Sequence, residues 1–496
     1  MATSDGYTSA SMLIQYIRNL DGNLNVQYYI HPGKEHGLTK EAMEWISKVN
    51  PRLVIVPDAG SNNFEEHKTL KEKNIDAIIL DHHSVSEESK DAVVVNNQLS
   101  PEYHNKQISG AGITYKFLQA LDNFYGTSEA DNYLDLVAWG IVADSMDLSS
   151  LETRYLVYKG LKNIRNPFLK ELIKQNTEAK KIYPVHISFD IAPKLNAMIR
   201  IGKQEEKHCV FRSLALLGGE EKYFNKRTKK TETLPYKAAR LCKNAHARQA
   251  KLRKKWTEEI KQQIEADGLD VESFLLIKLE NFDKELSGLI AGNLVSQYRK
   301  PVLIFSENKE GKLSGSMRGY EGLMNNTKTF LQELNIFNFI EGHESASGFE
   351  IEPERFEELK RLIKNINLNE EIDILVDFAL KSSSLREDLI KEILKYDCIW
   401  GKGIEQPKLA IKDLELHTNT IYKSASSEYT KWTANGIDYV LFNGHKEINK
   451  LIGQNKVATL DVVGSVKENN WQGRKSYQFV IEELQVKELK NVGFVF

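Results

Sequence analysis

Ala77-Ile78-Ile79-Leu80-Asp81-His82-His83 decides how this sequence is read. An apolar run followed at once by three polar groups fits a strand buried on both faces that delivers a carboxylate and two imidazoles at its end. Two further runs have the same form, Leu53-Val54-Ile55-Val56-Pro57-Asp58 before it and Ala92-Val93-Val94-Val95-Asn96 after it, with helical patterns between. Continuous apolar strands alternating with helices predict a parallel, doubly wound α/β sheet. Ligands of such sheets bind beyond the carboxyl ends of the strands, where Asp58 and Asp81-His82-His83 fall.

Two more carboxylates extend the pattern: Asp5, and Asp144 at the end of Trp139-Gly140-Ile141-Val142-Ala143-Asp144, both read as lying at strand ends. Mixed Asp and His ligands suit Mn²⁺ or Mg²⁺, which can activate water and hold a phosphoryl group during in-line attack, so the set has the composition of a metal phosphoesterase. Each Asp alone also fits a helix cap or turn former. The adjacent Asp81-His82-His83 is different, because three polar groups after an apolar strand gain nothing from packing.

Outward from this region, the 496 residues divide into an expected sequence of parts. These are the α/β domain at 1–165, a helical connector at 166–268, a second α/β domain at 269–366, a helical link at 367–400 and a β-rich domain at 401–496. The second α/β domain is read from Ser273–Ile277 and Pro301–Phe305 as strands and from Gly-containing loops at 311–322 and 342–348. Residues 367–396 read as amphipathic helix. The last domain is read from Tyr439–Phe442 and Tyr477–Ile481, with turn signals at Asn435-Gly436 and Asn443-Gly444, and has the pattern of a small barrel.

Composition excludes several classes. Sixty-seven Lys+Arg against 69 Asp+Glu give a formal charge of −2, with 41% hydrophobic residues, so neither a disordered tail nor a uniformly basic coating protein is read. Three widely spaced cysteines (Cys209, Cys242, Cys398) fit neither a disulfide framework nor paired zinc ligands, and a reducing cytoplasm is expected. No apolar run approaches the roughly 20 residues of a membrane helix, and residues 1–20 lack a signal-peptide pattern. Basic runs occur at Lys226, Arg227, Lys229, Lys230 and at Arg248, Lys251, Arg253, Lys254, Lys255. As helical segments they read as solvated faces, or as a local field for a phosphate backbone.

Leu80-Asp81-His82-His83 is the name-giving motif of the DHH phosphoesterases, and the chain resembles that family. Asp5-Gly6-Tyr7-Thr8-Ser9 is similar to the end of its first motif, Asp58-Ala59-Gly60-Ser61 to the second and Gly140-Ile141-Val142-Ala143-Asp144 to the fourth, in the family's order. Ser109-Gly110-Ala111-Gly112 resembles the SGAG segment of the RecJ branch. Gly315-Ser316-Met317-Arg318 and Gly342-His343-Glu344-Ser345-Ala346-Ser347-Gly348 are similar to the DHH-associated domain, with Glu341 and Ser347 as departures from its usual GGHxxAAG. Trp400-Gly401-Lys402-Gly403 and Asn469-Asn470-Trp471-Gln472-Gly473-Arg474 resemble diverged parts of the RecJ OB-fold.

The resemblance implies a Mn²⁺- or Mg²⁺-dependent exonuclease that hydrolyses single-stranded DNA from the 5′ end to 5′ mononucleotides, in repair or recombination. Asp5, Asp58, His82 and Asp144 are expected as metal ligands, Asp81 as the group that orients a histidine, and His83 against the scissile phosphate. Ser109, Gly110, Ser316, Arg318, Gly342 and His343 are expected to bind substrate. Lys431, Trp432, Trp471 and Arg474 are expected to contact the strand from the OB-fold, through stacking and charge rather than base readout. Expected partners are single-stranded DNA and a helicase or single-strand-binding protein, for a cytoplasmic monomer without a membrane. An oligonucleotide or cyclic-dinucleotide phosphodiesterase, and a degenerate DNA-binding scaffold, are the alternatives. The family's first motif carries two aspartates separated by one residue at a strand end. Here Thr3 stands in the first place and only Met1 and Ala2 precede it, so a truncated strand and a weakened metal position are expected.

Overall fold

The three apolar runs form β1 (Leu53–Pro57), β2 (Asp76–Asp81) and β3 (Val93–Asn96), paired in parallel in that order, with Val56 opposite Ile79 and Leu80 opposite Val95. They belong to a computed structural model of the chain that describes residues 3–33, 35–280, 282, 286–308, 310–320, 323–364, 366, 374–424, 429–442, 446–471 and 474–491, with 446, 447 and 471 as backbone only. Two units divide it, residues 1–249 with 395–406, and residues 250–394 with 407–496.

In the first unit the sheet is joined by α1 (Ser4–Leu20), α2 (Lys40–Val49), α3 (Phe64–Glu72), α4 (Gly110–Tyr125), α5 (Leu134–Ala143) and α6 (Leu151–Lys162). After these come α7 (Pro167–Lys174), α8 (Ala192–Ile201) and α9 (Gln204–Leu214). Two expectations change here. Leu134–Ala143 is a helix, so Asp144 caps α5 rather than ending a strand, and Asp5 lies in the first turn of α1. The segment Trp139–Ala143 is apolar on every side, and such a run is compatible with either structure; its burial among α1, α4 and α6 decides for helix. Residues 166–249 are also not a separate connector. Phe168, Met198, Phe211 and Cys242 pack into the same core as Tyr7, Ile108 and Trp139, because each of those helices carries an apolar stripe. The hairpin β4 (Lys222–Asn225) and β5 (Lys230–Thr233) precedes the long helix α10 (Leu234–Ala266).

The second unit holds a five-stranded sheet of order β6-β7-β8-β10-β9, from β6 (Leu275–Leu279), β7 (Val302–Glu307), β8 (Leu313–Arg318), β9 (Phe337–His343) and β10 (Ala346–Ile351). Its helices are α11 (Ser287–Tyr298), α12 (Thr327–Glu333) and α13 (Phe356–Ile363). A seven-stranded sheet follows, of order β11-β12-β16-β17-β15-β14-β13. Its strands are β11 (Phe378–Lys381), β12 (Leu409–His417), β13 (Tyr422–Lys423), β14 (Tyr429–Ala434), β15 (Ile437–Phe442), β16 (Lys456–Trp471) and β17 (Arg474–Asn491), with α14 (Glu387–Leu394) and α15 (Lys446–Leu451) beside them. The expected helix over 367–396 is therefore corrected. Among its described residues only α14 is α-helical, with one 3-10 turn at Ser382–Ser384, and Phe378–Lys381 adds a parallel strand to the edge of β12, a pairing no local pattern reveals. Asn435-Gly436 turns the β14–β15 hairpin as expected; Asn443 and Gly444 lie outside the described residues.

Candidate metal centre and nucleic-acid contacts

The strand ends and two helix ends bring Asp5, Asp58, His82 and Asp144 together. Asp58 follows β1 in the left-handed backbone region (φ 63°) and its N–H donates to Leu80 O at 2.8 Å, tying it to the end of β2. His82 Nε2 lies 3.3 Å from Asp58 Oδ1 and 3.5 Å from Asp144 Oδ2. Asp5 Oδ1 accepts from Ser109 Oγ at 3.0 Å and from Ala111 N at 3.1 Å, the start of α4. Thr3 Oγ1 donates to Asp58 Oδ2 at 2.6 Å. The opposite carboxylate oxygens have no such donors: Asp5 Oδ2 and Asp58 Oδ1 are buried without a hydrogen bond, and so is the ring nitrogen His82 Nε2. Ligand atoms of Asp5, His82 and Asp144 all lie within 4.8 Å of one another, and so do those of Asp58, His82 and His83.

Three near-buried carboxylates around one imidazole repel one another. Burial, and next the charge of Asp58, pushes Asp5 well above the ordinary carboxylate range. Burial likewise pushes Asp58 and Asp144 up to about 6. Unpartnered buried acceptors pointing at one another are costly unless a cation offsets them, and hard oxygen donors with one imidazole fit a divalent ion such as Mn²⁺ or Mg²⁺.

Asp81 has a different role. Its Oδ1 accepts from His82 N at 2.8 Å, His83 N at 3.2 Å and His83 Nδ1 at 2.7 Å, and its Oδ2 from Ser61 N at 3.0 Å. Burial acts to raise it, but these bonds and the charge of His83 outweigh that and hold it below the usual range. The same bond pushes His83 up to about 9. Asp81 is therefore spent on fixing the two histidines and leaves His83 Nε2 as that ring's available atom.

Ser109 and Gly110 are placed otherwise than expected. Ser109 is fully buried, capping α4 and donating to Asp5, so it contacts a carboxylate rather than substrate. A Cβ on Gly110 would lie 2.5 Å from Asp58 Oδ1, and one on Gly140 would lie 2.2 Å from Asp5 Oδ1, so both glycines make room for the carboxylates. Thr3, Gly140 and Asn96 were not assigned roles from sequence. Asn96 Nδ2 donates to Ser61 Oγ at 2.9 Å and to His83 O at 3.0 Å, and its place at the end of the third strand, matching Asp58 and Asp81, is the signal that could have found it. On the Thr3 side, an apolar cavity of 580 Å³ runs beside β1, lined also by Ala10, Tyr28 and Trp45; among the described residues no strand pairs with that edge.

In the second unit, Arg318 and His343 both stand opposite Ala346 on β10, so they share one face of the sheet with Ser316 one pair further along. Ser316 Oγ lies 2.7 Å from Ser287 Oγ at the start of α11, and a Cβ on Gly288 would meet Arg318 Nη2 at 2.6 Å. Gly342 adopts φ 127°, beside an exposed His343.

The strand-contact residues fare unevenly. Trp432 is 2% exposed and stacks on Tyr439 at 6.0 Å inside the sheet's core, so it is not a base platform. Its alternation with exposed neighbours points it inward, which a single aromatic cannot reveal in sequence. Lys431 is paired with Asp438 at 2.8 Å, and Arg474 is exposed. Trp471 opposes Arg474 by its backbone, while its side chain lies outside the described residues. The run at Lys226–Lys230 occupies a hairpin tip rather than a helix, and Arg248, Lys254 and Lys255 are engaged by Glu206, Glu258 and Glu259.

Comparison with known proteins agrees with this geometry. The DHH family N-terminal domain matches residues 2–141 and the RecJ OB domain residues 376–483. A Bacillus subtilis protein, the SPbeta prophage-derived YorK, whose name carries a provisional assignment as a single-strand DNA-specific exonuclease, is 37% identical over 99% of this chain and 87% of its own length. The chain belongs to the RecJ branch of the DHH family. The single-stranded-DNA-specific exonuclease RecJ of Bacillus subtilis is 26% identical over 98% of this chain and 60% of its own length. The crystal structure of Thermus thermophilus RecJ with Mn²⁺ superposes with a TM-score of 0.74 at 20% identity, covering 100% of this chain and 69% of that one, and a Mg²⁺ complex gives 0.67. For a RecJ-family chain, the Asp5, Asp58, His82 and Asp144 cluster is the candidate metal centre. No helix among the described residues is long and apolar enough to cross a membrane.

Proposed function

We propose that this RecJ-family chain is a Mn²⁺- or Mg²⁺-dependent exonuclease that hydrolyses single-stranded DNA in the 5′→3′ direction to 5′ mononucleotides, in repair or recombination. The observation that carries this reading is the buried set of inward-facing, unpartnered ligand atoms of Asp5, Asp58 and His82, next to Asp144. Its relatives' names supply the single-strand substrate, and the polarity rests on family resemblance.

Asp5, Asp58, His82 and Asp144 would hold the ion, which supplies water activation and charge compensation at the phosphoryl group. Ser109 and Ala111 hold Asp5 from behind, and Thr3 holds Asp58, so each carboxylate presents one oxygen inward. Asp81 fixes the ring of His83, and the proton retained on that ring serves as a donor to a non-bridging phosphate oxygen. On the second unit, Ser316, Arg318 and His343 share a sheet face suited to grip a terminal phosphate, with the planar guanidinium as a two-point donor.

Thr3 in place of a carboxylate favours one rival, a scaffold that binds DNA without cutting. The test is incubation with Mn²⁺ and a long single strand labelled at its 5′ end, next to a duplex and a dinucleotide. Labelled mononucleotide released from the single strand supports the exonuclease. Binding without cleavage supports the scaffold, and cleavage of the dinucleotide alone supports a short-oligonucleotide phosphodiesterase.

A further inference from the structure

The helix after the Asp144 loop carries a surface that the metal centre does not use. On α6, Thr153, Leu156, Val157, Gly160 and Leu161 are buried, whereas Leu151, Tyr155, Tyr158 and Lys162 form an exposed stripe at spacings that fall on one side of a helix. Tyr155 is 56% and Tyr158 42% exposed. Leaving two aromatic rings and a leucine in water along one stripe forgoes burial that the core would reward, and contiguous exposed apolar surface of this kind marks a binding site.

Three observations say what it binds. First, the stripe opens on a concavity of 670 Å³ lined by Leu151, Glu152, Arg154, Tyr155, Tyr158 and Ile399. Second, the surrounding charge is cationic: Lys159 Nζ lies 5.3 Å from the Tyr155 ring centre and Lys162 Nζ 5.8 Å from that of Tyr158, while Glu152 is engaged by Lys116, Tyr103 and Asn105. Ammonium groups at that range are weakly held and can turn to a phosphate without uncovering the ring. Third, the segment that carries Ile399 is tied to the loop that follows Asp144. Lys402, close beyond Ile399, has its carbonyl bound to Leu148 N at 2.7 Å, and its charge reaches Asp144. The platform is also rigid, since α6 meets α5 at Gly160, where a Cβ would lie 2.0 Å from Leu134 O.

We propose that Tyr155 and Tyr158 are a stacking platform on which nucleobases of a single strand rest as its backbone leads away from the metal centre, with Lys159 and Lys162 on its phosphates. Stacking on aromatic faces tolerates any sequence, which suits an enzyme that must accept every base. This rests on the single-strand reading above, and deepens it by naming the residues that hold the bases outside the reacting nucleotide.

The test is equilibrium binding of the full chain to a single-stranded oligonucleotide carrying 2-aminopurine, whose fluorescence is quenched when the base stacks. Tyr155→Ala and Tyr158→Ala are each expected to weaken binding on the order of 10-fold and to relieve the quench. Tyr155→Phe and Tyr158→Phe keep the ring and are expected to restore both. In cleavage of a long strand, the loss in the Ala variants is expected mainly in KM. Ala variants that bind and quench like the wild type, while the wild type cuts single strands, would overturn the platform and leave a protein partner as the occupant of the stripe. A wild type that neither binds nor cuts single strands would instead overturn the reading on which the platform rests.

Discussion

Asp58 and Asp144 are both raised from 3.8 to about 6 in the metal-free protein, mainly by burial, with the charge of Asp144 adding to it at Asp58 and that of Asp5 at Asp144. A carboxylate whose pKa is raised on folding stabilises the fold below its unfolded pKa and loses that contribution as pH rises through the folded value. The metal-free protein should therefore lose stability between about pH 4 and 6, on the order of 3 kcal/mol for Asp58. Asp58→Asn should melt higher than wild type above that window in chelator, and should lose the upward shift on adding Mn²⁺. A lower melting point in chelator would contradict this electrostatic account. His83 has the same sign in a higher window: raised from 6.5 to about 9 by Asp81, it stabilises below 6.5 and stops doing so as pH passes 9. Asp144→Ala should abolish cleavage while circular dichroism stays native; activity persisting in that variant would remove Asp144 from the ligand set. Thr3→Asp should place a further carboxylate beside Asp58. Titration calorimetry should then show stronger or additional Mn²⁺ binding, and the metal-free variant should be less stable.

At the scale of elements, the carboxylates depend on how closely α1, α4 and α5 approach. A Cβ on Gly140 would lie 2.2 Å from Asp5 Oδ1 and 2.8 Å from Thr8 Oγ1, both on α1, and 2.5 Å from Ala111 Cβ on α4. Gly140→Ala should cost about 1–3 kcal/mol by overpacking and weaken Mn²⁺ affinity with it. Gly292, in α11 with nothing within 4 Å of an added Cβ, is the control. Gly292→Ala should be neutral or stabilise by up to about 1 kcal/mol through helix propensity, as read from urea midpoints. The strands β1 to β3 were legible because each is a short apolar run between helices. Helix α5 reads as a strand in sequence because Trp139–Ala143 is apolar all round. Strand β11 was missed because its partner β12 is distant in sequence.

The whole molecule divides into two units, and the candidate metal centre lies entirely in residues of the first. A ligand stabilises only what folds to make its site, by about 2.7 kcal/mol at a hundredfold excess over Kd. Calorimetric unfolding in chelator and in Mn²⁺ should therefore move the transition of the first unit upward and leave that of the second in place. A shift of both together would show that they unfold as one. The near-zero net charge, −2, gives no global attraction to DNA. Binding should weaken with salt through local contacts such as Lys159 and Lys162.

From sequence alone, three apolar runs placed Asp58 and Asp81-His82-His83 at one end of a parallel sheet, because alternation of buried strands with helices admits few other arrangements. The motifs likewise marked Asp5 and Asp144. Only the tertiary structure separated the groups that face inward from those that hold them. Ser109 turned out to hold Asp5 across 104 residues and Thr3 to hold Asp58 across 55, and Trp432 turned into the core. The physical reason is that a residue's type states which bonds it can make, while burial and the direction of its side chain, set by segments far away in the chain, decide which of them it makes.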